Sequence, residues 1–326
     1  MADEEYTQDT GSDEEEKLPL FLINGFLEAG KTQFIRFTME QDYFQTEGLT
    51  LLLVCEEGEE EYDDDLLRRT NTQKIVIDEM ETLTPEYLAG LEKTFAPERV
   101  LMEWNGMWDV SKLVLPDTWT LYQQITIIDG STLDMYLNNL GMKSLLGIMV
   151  RNTEMLIVNR CDGVYDRLND FHRILKGMNA RVEIIFEDKD GEVSGTVEDA
   201  LPFDVNADVI EIKPEDYGVW YIDAFDNKER YDGKTVEFTG MVLKRPEFAS
   251  NDFVPGRMAM TCCEADMSFL GFMCRAKGGR KLNNRDWVRV RATIRYEYRP
   301  EYESDAPMLY AESVEPAEPI KDIVTF

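Results

Sequence analysis

The sequence has very little histidine and few cysteines, which limits the metal and catalytic sites that it can build. His172 is the single histidine among 326 residues, and there are five cysteines. A histidine-rich metal cluster is therefore excluded, and a charge-relay triad is not expected. This small, odd number of cysteines does not give the disulfide framework of a small secreted protein, so we expect a reducing, cytoplasmic location.

Basic residues and long apolar runs are also scarce. The chain has 34 lysines and arginines against 65 acidic residues, a net charge of −31. This charge repels a polyphosphate backbone, so we expect no nucleic-acid partner. No run approaches the ~18 apolar residues of a membrane-spanning helix, and the acidic start is unlike a signal peptide. Residues 1–17 are predicted to be a disordered acidic tail, and a hydrophobic content of 43% is enough for two folded domains.

The most informative feature that the sequence does have is a phosphate-binding motif. Residues 20–34 read LFLINGFLEAGKTQF, an apolar strand followed by G-x-x-x-x-G-K-T and a segment that can open a helix. Backbone N–H groups of such a loop wrap a phosphate, and the helix N-terminus adds its positive dipole end. We expect Lys31 to reach the β- and γ-phosphates and Thr32 to ligate Mg²⁺. The predicted nucleotide contacts here are Gly25, Glu28, Ala29, Gly30, Lys31, Thr32 and Gln33.

A second motif concerns the base of the nucleotide. Asn159, Arg160 and Asp162 follow the apolar strand of residues 154–158 in the pattern N-R-C-D. The aspartate would accept hydrogen bonds from N1–H and the 2-amino group of guanine, donors that adenine does not present together. Arg160 replaces the usual lysine and keeps its charge and aliphatic stem. We predict GTP and GDP as ligands; the alternative is a turn with capping side chains.

Acidic residues stand at the ends of two further predicted strands. One strand runs into Glu56 and another into Glu103, with Gly106 three residues later. Acids at the carboxyl ends of strands beside a P-loop organise Mg²⁺ and the attacking water, and a glycine N–H can contact the γ-phosphate. For Glu56 the alternative is a solvated acidic loop over residues 56–65. We predict Mg²⁺ ligands Thr32, Glu56 and Glu103, catalytic residues Lys31 and Glu103, and a nucleotide contact at Gly106.

In this order, GFLEAGKT, CEEGEEEYD, EWNG and NRCD resemble the motifs of CobW-like GTPases, relatives of UreG and HypB. The resemblance covers residues 18–189 and implies an α/β P-loop GTPase domain, with a mainly parallel sheet and flanking helices. It also implies a role in metal homeostasis and a homodimer that completes its site on binding GTP. One departure is important: the family's C-x-C-C metal site is missing, because no cysteine lies between Cys55 and Cys161. The metal-transfer role of the family is therefore not carried over to this domain.

The second half of the chain reads differently. Residues 190–213 are polar and acidic and are predicted to be a linker. Apolar and polar residues then alternate in short runs, which favours half-buried strands and a small β-rich domain of the OB-like barrel type over residues 214–326. Arg289, Arg291 and Arg295 share one face and are expected to pair with nearby acids. The predicted strands are residues 218–222, 235–242, 257–261, 287–294 and 308–314.

This half also contains motifs of another family. GKTVEFTGMV, FVPGR, TCCEAD and DWV resemble the C-terminal domain of YcgQ-type proteins, subunits that accompany a predicted membrane permease. The resemblance implies a permease partner and no particular chemistry. Within it, Cys262 and Cys263, with Asp266 and Cys274 nearby, are candidate ligands for Zn²⁺ or another soft transition metal. A vicinal disulfide and two inert thiols are the alternatives.

Together these features predict a GTPase domain joined to a β-rich domain. GTP would be hydrolysed with Mg²⁺ by a water that attacks the γ-phosphate. The nucleotide state would control metal handling, through a metalloprotein client, or a permease partner. Two other functions stay open: a nucleotide-binding regulatory subunit that does not hydrolyse, and a metal-binding accessory protein that uses Cys262 and Cys263.

Overall fold

A computed structural model of the chain describes residues 17–193, 201–260, 267–276, 282–299 and 304–324. The chain forms two compact units, one of residues Met1–Trp108 with Lys112–Gln124 and one of Asp109–Ser111 with Ile125–Phe326. Within the described ranges no helix is long and apolar enough to cross a membrane. Residues 1–16 of the predicted tail and the pair Cys262 and Cys263 lie outside the described residues.

The first unit contains a parallel sheet flanked by helices. Its strands pair in the order β3–β2–β4–β1. The central strand β2 is buried along its whole length, as expected for parallel strands covered on both faces. The register places the carboxyl ends of β1 and β4 together, with Ile23 beside Glu103. The strands are β1 (Leu18–Asn24), β2 (Thr50–Val54), β3 (Thr72–Val76) and β4 (Arg99–Glu103), and the helices are α1 (Lys31–Glu40), α2 (Asp64–Arg69) and α3 (Pro85–Phe95).

The second unit begins with further parallel strands and flanking helices. Strand β5 (Trp119–Asp129) crosses the unit boundary and pairs in parallel with β6 (Met155–Asn159), which pairs in parallel with β7 (Glu183–Asp188). A two-residue strand, β8 (Gly191–Glu192), turns back antiparallel to β7. The α/β architecture with a mainly parallel sheet, predicted for the N-terminal half, is confirmed. The helices of this layer are α4 (Gly130–Leu137), α5 (Leu140–Arg151) and α6 (Leu168–Met178).

The C-terminal part of the second unit is β-rich, as predicted. Its elements are β9 (Ile210–Glu211), α7 (Tyr217–Asp226), α8 (Lys228–Tyr231), β10 (Thr235–Leu243), β11 (Asp252–Met260), β12 (Met267–Gly271), β13 (Met273–Ala276), β14 (Trp287–Arg299) and β15 (Ser304–Pro316). Strand β10 pairs antiparallel with β11 and β14, and β14 also pairs antiparallel with β15. Strand β11 pairs antiparallel with β12 and β13, and β13 pairs in parallel with β15.

One predicted strand of this region is wrong. Residues 218–222 lie in α7, not in a strand. Their aromatic and β-branched side chains favoured a strand, but the buried residues Tyr217, Trp220, Tyr221 and Ala224 follow the i, i+3, i+4, i+7 spacing of a helix face. Packing of that face, with Trp220 against Phe238 at 4.9 Å between ring centroids, outweighs the local strand preference.

The three arginines of β14 pair with acids, as expected from the sequence. Arg289 contacts Glu237, Arg291 contacts Glu312 at 3.2 Å, and Arg295 contacts Asp232 at 3.5 Å. Ion pairs this exposed contribute little to stability. They do neutralise the positive face that these arginines would otherwise present to an anion.

Candidate functional site

The phosphate-binding loop of the first unit lies between the end of β1 and the start of α1. Gly25 and Gly30 have φ angles of 144° and 103°, which favour glycine. The side chain of Asn24 accepts a hydrogen bond from the Gly25 N–H at 2.8 Å. Gly106, which follows β4, lies so close to the loop that a Cβ there would be 2.3 Å from the Gly25 carbonyl oxygen. The structure therefore brings Gly106 to the beginning of the loop.

Lys31 is buried beneath this loop with all of its donors engaged. Its Nζ donates to the carbonyl oxygens of Gly25 at 2.9 Å and Phe26 at 3.0 Å, and to Oε2 of Glu56 at 2.6 Å. A lysine ammonium has three N–H donors, and these three acceptors account for them. The side chains of Lys31 and Glu56 are only 3% and 11% exposed, so Glu56 is not part of a solvated loop. Burial makes this pair far more strongly coupled than a surface ion pair.

The predicted residues Thr32 and Glu103 are also in direct contact. The Thr32 hydroxyl donates to Oε1 of Glu103 at 2.8 Å. The second oxygen, Oε2, accepts a hydrogen bond from the Tyr62 hydroxyl at 2.5 Å. Burial raises the pKa of Glu103 above its ordinary value, although the hydrogen bonds from Tyr62 and Thr32 oppose the rise. Both carboxylate oxygens of Glu103 thus already have a donor.

Tyr62 was not among the residues predicted from the sequence. It is 7% exposed, although Glu59, Glu60 and Glu61 before it are exposed. Burial and the neighbouring charge of Glu103 raise its pKa, so it stays a protonated donor. The signal available in the sequence was a lone aromatic residue within a run of acids, which a solvated loop does not require.

Glu28 links the phosphate-binding loop to the acidic segment, by which we mean residues 56–62. Its backbone has a φ of 60°, an uncommon value for a residue other than glycine. Its Oε1 accepts a hydrogen bond from the Glu59 N–H at 2.8 Å. A Cβ at Gly58 would be 2.4 Å from the same oxygen, so the close approach depends on glycine there. The acidic segment is therefore held at three points, where Glu56, Glu59 and Tyr62 contact Lys31, Glu28 and Glu103.

Cysteine chemistry has little support among the described residues. Cys55, beside the acidic segment, is buried, and burial together with the charge of Glu103 raises its pKa to about 12, so it is a neutral thiol. Burial also raises the pKa of Cys274. No group of three or more metal-ligating side chains occurs within the described ranges. The structure describes neither Cys262 nor Cys263, so their role as ligands stays a prediction.

The N-R-C-D motif, residues 159–162, belongs to the second unit. Arg160, directly after β6, has a φ of 53°, and its guanidinium contacts Oδ2 of Asp129 at 2.5 Å. Burial acts to raise the pKa of Asp129, but hydrogen bonds from Ser131 and Arg160 outweigh it and lower the pKa. Asp162 is exposed, and its Oδ1 accepts a long hydrogen bond of 3.3 Å from the Lys189 N–H. The motif therefore forms a turn whose aspartate also presents acceptor capacity to a ligand.

Comparison with known proteins matches the two halves of the chain to two families. Residues 19–186, slightly more than half of the chain, match the family described as CobW/HypB/UreG, nucleotide-binding domain. Residues 189–325 match the DUF1980 C-terminal domain, which is consistent with the predicted YcgQ-like assignment. The predicted resemblance to CobW-like proteins is confirmed. A search of curated proteins found no match.

Three solved structures illustrate the structural similarity. The hydrogenase maturation factor HypB from Archaeoglobus fulgidus is 18% identical, with 55% of this chain and 86% of that chain covered and a TM-score of 0.39. HypB from Helicobacter pylori, in complex with nickel, is 14% identical, with 54% and 81% covered and a TM-score of 0.33. An LAO/AO transport system kinase is 15% identical, with 53% of each chain covered and a TM-score of 0.35.

Proposed function

Because this chain belongs to the family of the CobW/HypB/UreG nucleotide-binding domain, we propose that it binds GTP and GDP and hydrolyses GTP with Mg²⁺. The observation that carries the proposal is the buried constellation of Lys31, Thr32 and Glu103 under a loop of the P-loop sequence. A buried lysine and a threonine hydroxyl, both at the N-terminus of a helix, are the parts that a nucleoside triphosphate requires.

Phosphate binding would proceed by exchange at Lys31. Its three donors are taken by two carbonyl oxygens and by the carboxylate of Glu56. A phosphate oxygen must replace one of these acceptors, and the Glu56 carboxylate is the one that resembles it in charge and shape. We expect the phosphate to displace Glu56, because the two carbonyl contacts fix the lysine to the loop itself.

The oxygen ligands beside the loop suit Mg²⁺ in donor chemistry, since Thr32, Glu56 and Glu103 all offer hard oxygens. When bound, the cation would neutralise charge on the phosphate oxygens. Thr32 would hold it through a hydroxyl lone pair, because the hydroxyl proton is directed to Glu103 at 2.8 Å. Glu56, once displaced from Lys31, becomes available as an acid near the phosphates. Lys31 and the Gly106 N–H would stabilise charge on the γ-phosphate during attack by water.

A titration of fluorescent GDP with Mg²⁺, competed separately by GTP and by ATP, tests nucleotide binding and base preference. Competition by GTP and not by ATP is expected if Asn159, Arg160 and Asp162 read guanine. Equal competition by ATP would contradict the guanine assignment and leave the phosphate site intact. Release of phosphate from GTP, and its loss in Glu103→Gln, then tests hydrolysis and the catalytic assignment of Glu103.

One observation favours a second function, a nucleotide-binding regulatory subunit without hydrolysis. Both oxygens of Glu103 accept hydrogen bonds, and Glu56 pairs with Lys31, so neither acid is poised to activate a water. Tight binding of GTP without phosphate release would support this function. Steady release of phosphate from GTP that depends on Mg²⁺ would contradict it.

The β-rich half supports a further part of the proposal. We propose a small OB-like barrel there, because β10, β11, β13, β14 and β15 each pair with two others of the set. In domain terms, the proposal keeps a P-loop domain over residues 18–189, a linker over 190–213 and the β-rich domain over 214–326. The match to the DUF1980 C-terminal domain supports a role beside the nucleotide cycle, for which a permease partner, a metalloprotein client and a homodimer are the candidates.

Metal handling would use Cys262 and Cys263 as ligands for Zn²⁺ or another soft transition metal. Elemental analysis of the purified chain measures the bound metal. A stoichiometric amount that is lost in the Cys262→Ser/Cys263→Ser double variant is expected. Cys274→Ser is the control, since that thiol is buried within the β-rich core. Equal metal content in all three proteins would contradict the assignment.

A further inference from the structure

The acidic segment contains one buried side chain that the proposed function leaves without a role. Tyr62 lies 41 residues before Glu103 in sequence, yet its hydroxyl donates to Oε2 of Glu103 at 2.5 Å. On the other side of the carboxylate, Oε1 accepts the hydroxyl proton of Thr32 at 2.8 Å. All three side chains are at most 9% exposed. They form a continuous hydrogen-bonded chain, Tyr62 to Glu103 to Thr32, from the acidic segment to the start of α1.

We propose that Tyr62 is a positioning residue that sets the affinity of the nucleotide site for Mg²⁺ by fixing the Glu103 carboxylate. The inference rests on the proposed function, because it assigns Thr32 as the residue that holds the cation. It adds a residue to that site and names the ligand whose binding it controls. Tyr62 itself does not touch the cation in this scheme.

The chemistry follows from what a hydroxyl can offer. Thr32 has one proton and two acceptor lone pairs, so the direction of its proton decides where its lone pairs point. With Oε1 fixed, the proton is committed to Glu103 and a lone pair is left for a cation. Tyr62 fixes Oε1 by holding Oε2 of the same rigid carboxylate. Partners of this kind, one step removed from a metal, orient its ligands and tune its affinity.

Removal of the phenol oxygen would leave Oε2 buried with one donor fewer. A buried acceptor that loses its donor seeks another, and the Thr32 hydroxyl, already bonded to Oε1 of the same carboxylate, is the remaining donor of this hydrogen-bonded chain. A shift of the carboxylate toward it changes the arrangement that commits the Thr32 proton. The cost therefore falls on cation binding more than on nucleotide binding without the cation, which depends on Lys31 and backbone N–H groups.

A purely structural role for Tyr62 is the competing explanation, because its hydroxyl also anchors the acidic segment. The chain offers a matched control: the buried Tyr231 donates its hydroxyl to Asp223 in the second unit. Tyr62→Phe and Tyr231→Phe each delete one phenol oxygen bonded to a carboxylate and keep the ring. Both variants should lose stability to a similar degree, but only one touches the nucleotide site.

The experiment measures the dissociation constant of fluorescent GDP on the full chain, once with saturating Mg²⁺ and once with a chelator. The ratio of the two constants is the coupling between cation and nucleotide. Tyr62→Phe is expected to reduce this ratio at least about tenfold, the scale on which such supporting residues act. Its affinity without Mg²⁺ should stay within about twofold of wild type. Tyr231→Phe is expected to keep the wild-type ratio.

A second measurement separates an action through Glu103 from a general loss of stability. If Tyr62 acts through Glu103, the Tyr62→Phe/Glu103→Gln double variant loses no more coupling than Glu103→Gln alone. Additive losses of coupling, or a wild-type ratio in Tyr62→Phe, would overturn the inference. Normal GDP binding in the same experiment would leave the proposed function standing. A wild-type chain that binds neither GDP nor GTP would overturn both.

Discussion

The first unit contains the phosphate segment, by which we mean residues 25–32 with Glu56 and Glu103. The second contains the base-reading segment, residues 159–162. The two segments differ in how their functional side chains are held. Lys31, Thr32 and Glu103 are buried. Lys31 donates to Glu56 at 2.6 Å and to the Gly25 carbonyl oxygen at 2.9 Å, and Thr32 donates to Glu103 at 2.8 Å. Arg160 and Asp162 are exposed, and Asp162 accepts a long hydrogen bond of 3.3 Å from the Lys189 N–H. A buried constellation has few alternative arrangements, so its role is strongly constrained. An exposed turn has many, so its role depends on the ligand that completes it.

Replacement of the loop lysine should give the largest effect. Lys31→Ala is expected to weaken GTP binding and any hydrolysis by about 100-fold or more, since it removes the cation that faces the phosphates. The change also leaves the buried Glu56 without its partner, which can destabilise the fold by roughly 3–5 kcal/mol. The Lys31→Ala/Glu56→Ala double variant removes both charges and separates the two effects. Full GTP affinity in a folded double variant would contradict the assignment of Lys31 to phosphate binding.

Replacement of the base-reading aspartate should give the next largest effect. Asp162→Asn exchanges an acceptor for a donor, so GTP binding is expected to fall by about 100-fold while binding of xanthosine triphosphate rises. Competition titrations with the two nucleotides measure this change. Asp166→Asn, four residues further on in the same unit, is the control and should leave the preference unchanged. Unaltered GTP affinity in Asp162→Asn would mean that the segment is only a turn.

The same comparison explains what the sequence could predict. The loop residues were predictable because they are contiguous, and parallel strands bring their carboxyl ends to one edge, which brought Glu103 to Thr32. Tyr62 was missed because its contact with Glu103 arises only in the folded chain. Helix α7 was misread because packing of its aromatic face, and not local preference, decides its conformation. The ion pair between Arg160 and Asp129 was equally invisible, since family motifs do not specify such partners.

The ion pair between Glu56 and Lys31 supplies a prediction of intermediate size. Glu56→Gln removes the anion that competes with phosphate for Lys31, so GDP measured without Mg²⁺ is expected to bind about tenfold more tightly, or ~1.4 kcal/mol. Glu57→Gln, at an exposed position next in sequence, is the control and should have no such effect. Weaker binding in Glu56→Gln would show that Glu56 supports the nucleotide and does not compete with it.

The smallest effect concerns the stability of the ligand-free chain and its dependence on pH. Burial raises the pKa of Glu103 above the ordinary 4.5 of a glutamate, so the folded state holds this proton more tightly than the unfolded state. As pH rises above 4.5, the unfolded chain loses the proton first and the free energy of unfolding therefore falls, until the folded pKa is passed. Glu103→Gln lacks this loss and is expected to be more stable than wild type near neutral pH. Urea unfolding across that pH range should show the difference in stability growing with pH.

Glu98→Gln is the control, because hydrogen bonds from Thr46 and the Gly48 backbone lower the pKa of this exposed acid and give its contribution the opposite sign. A Glu103→Gln chain that gains no stability at any pH would mean that the hydrogen bonds from Tyr62 and Thr32 fully offset the cost of burying the Glu103 charge.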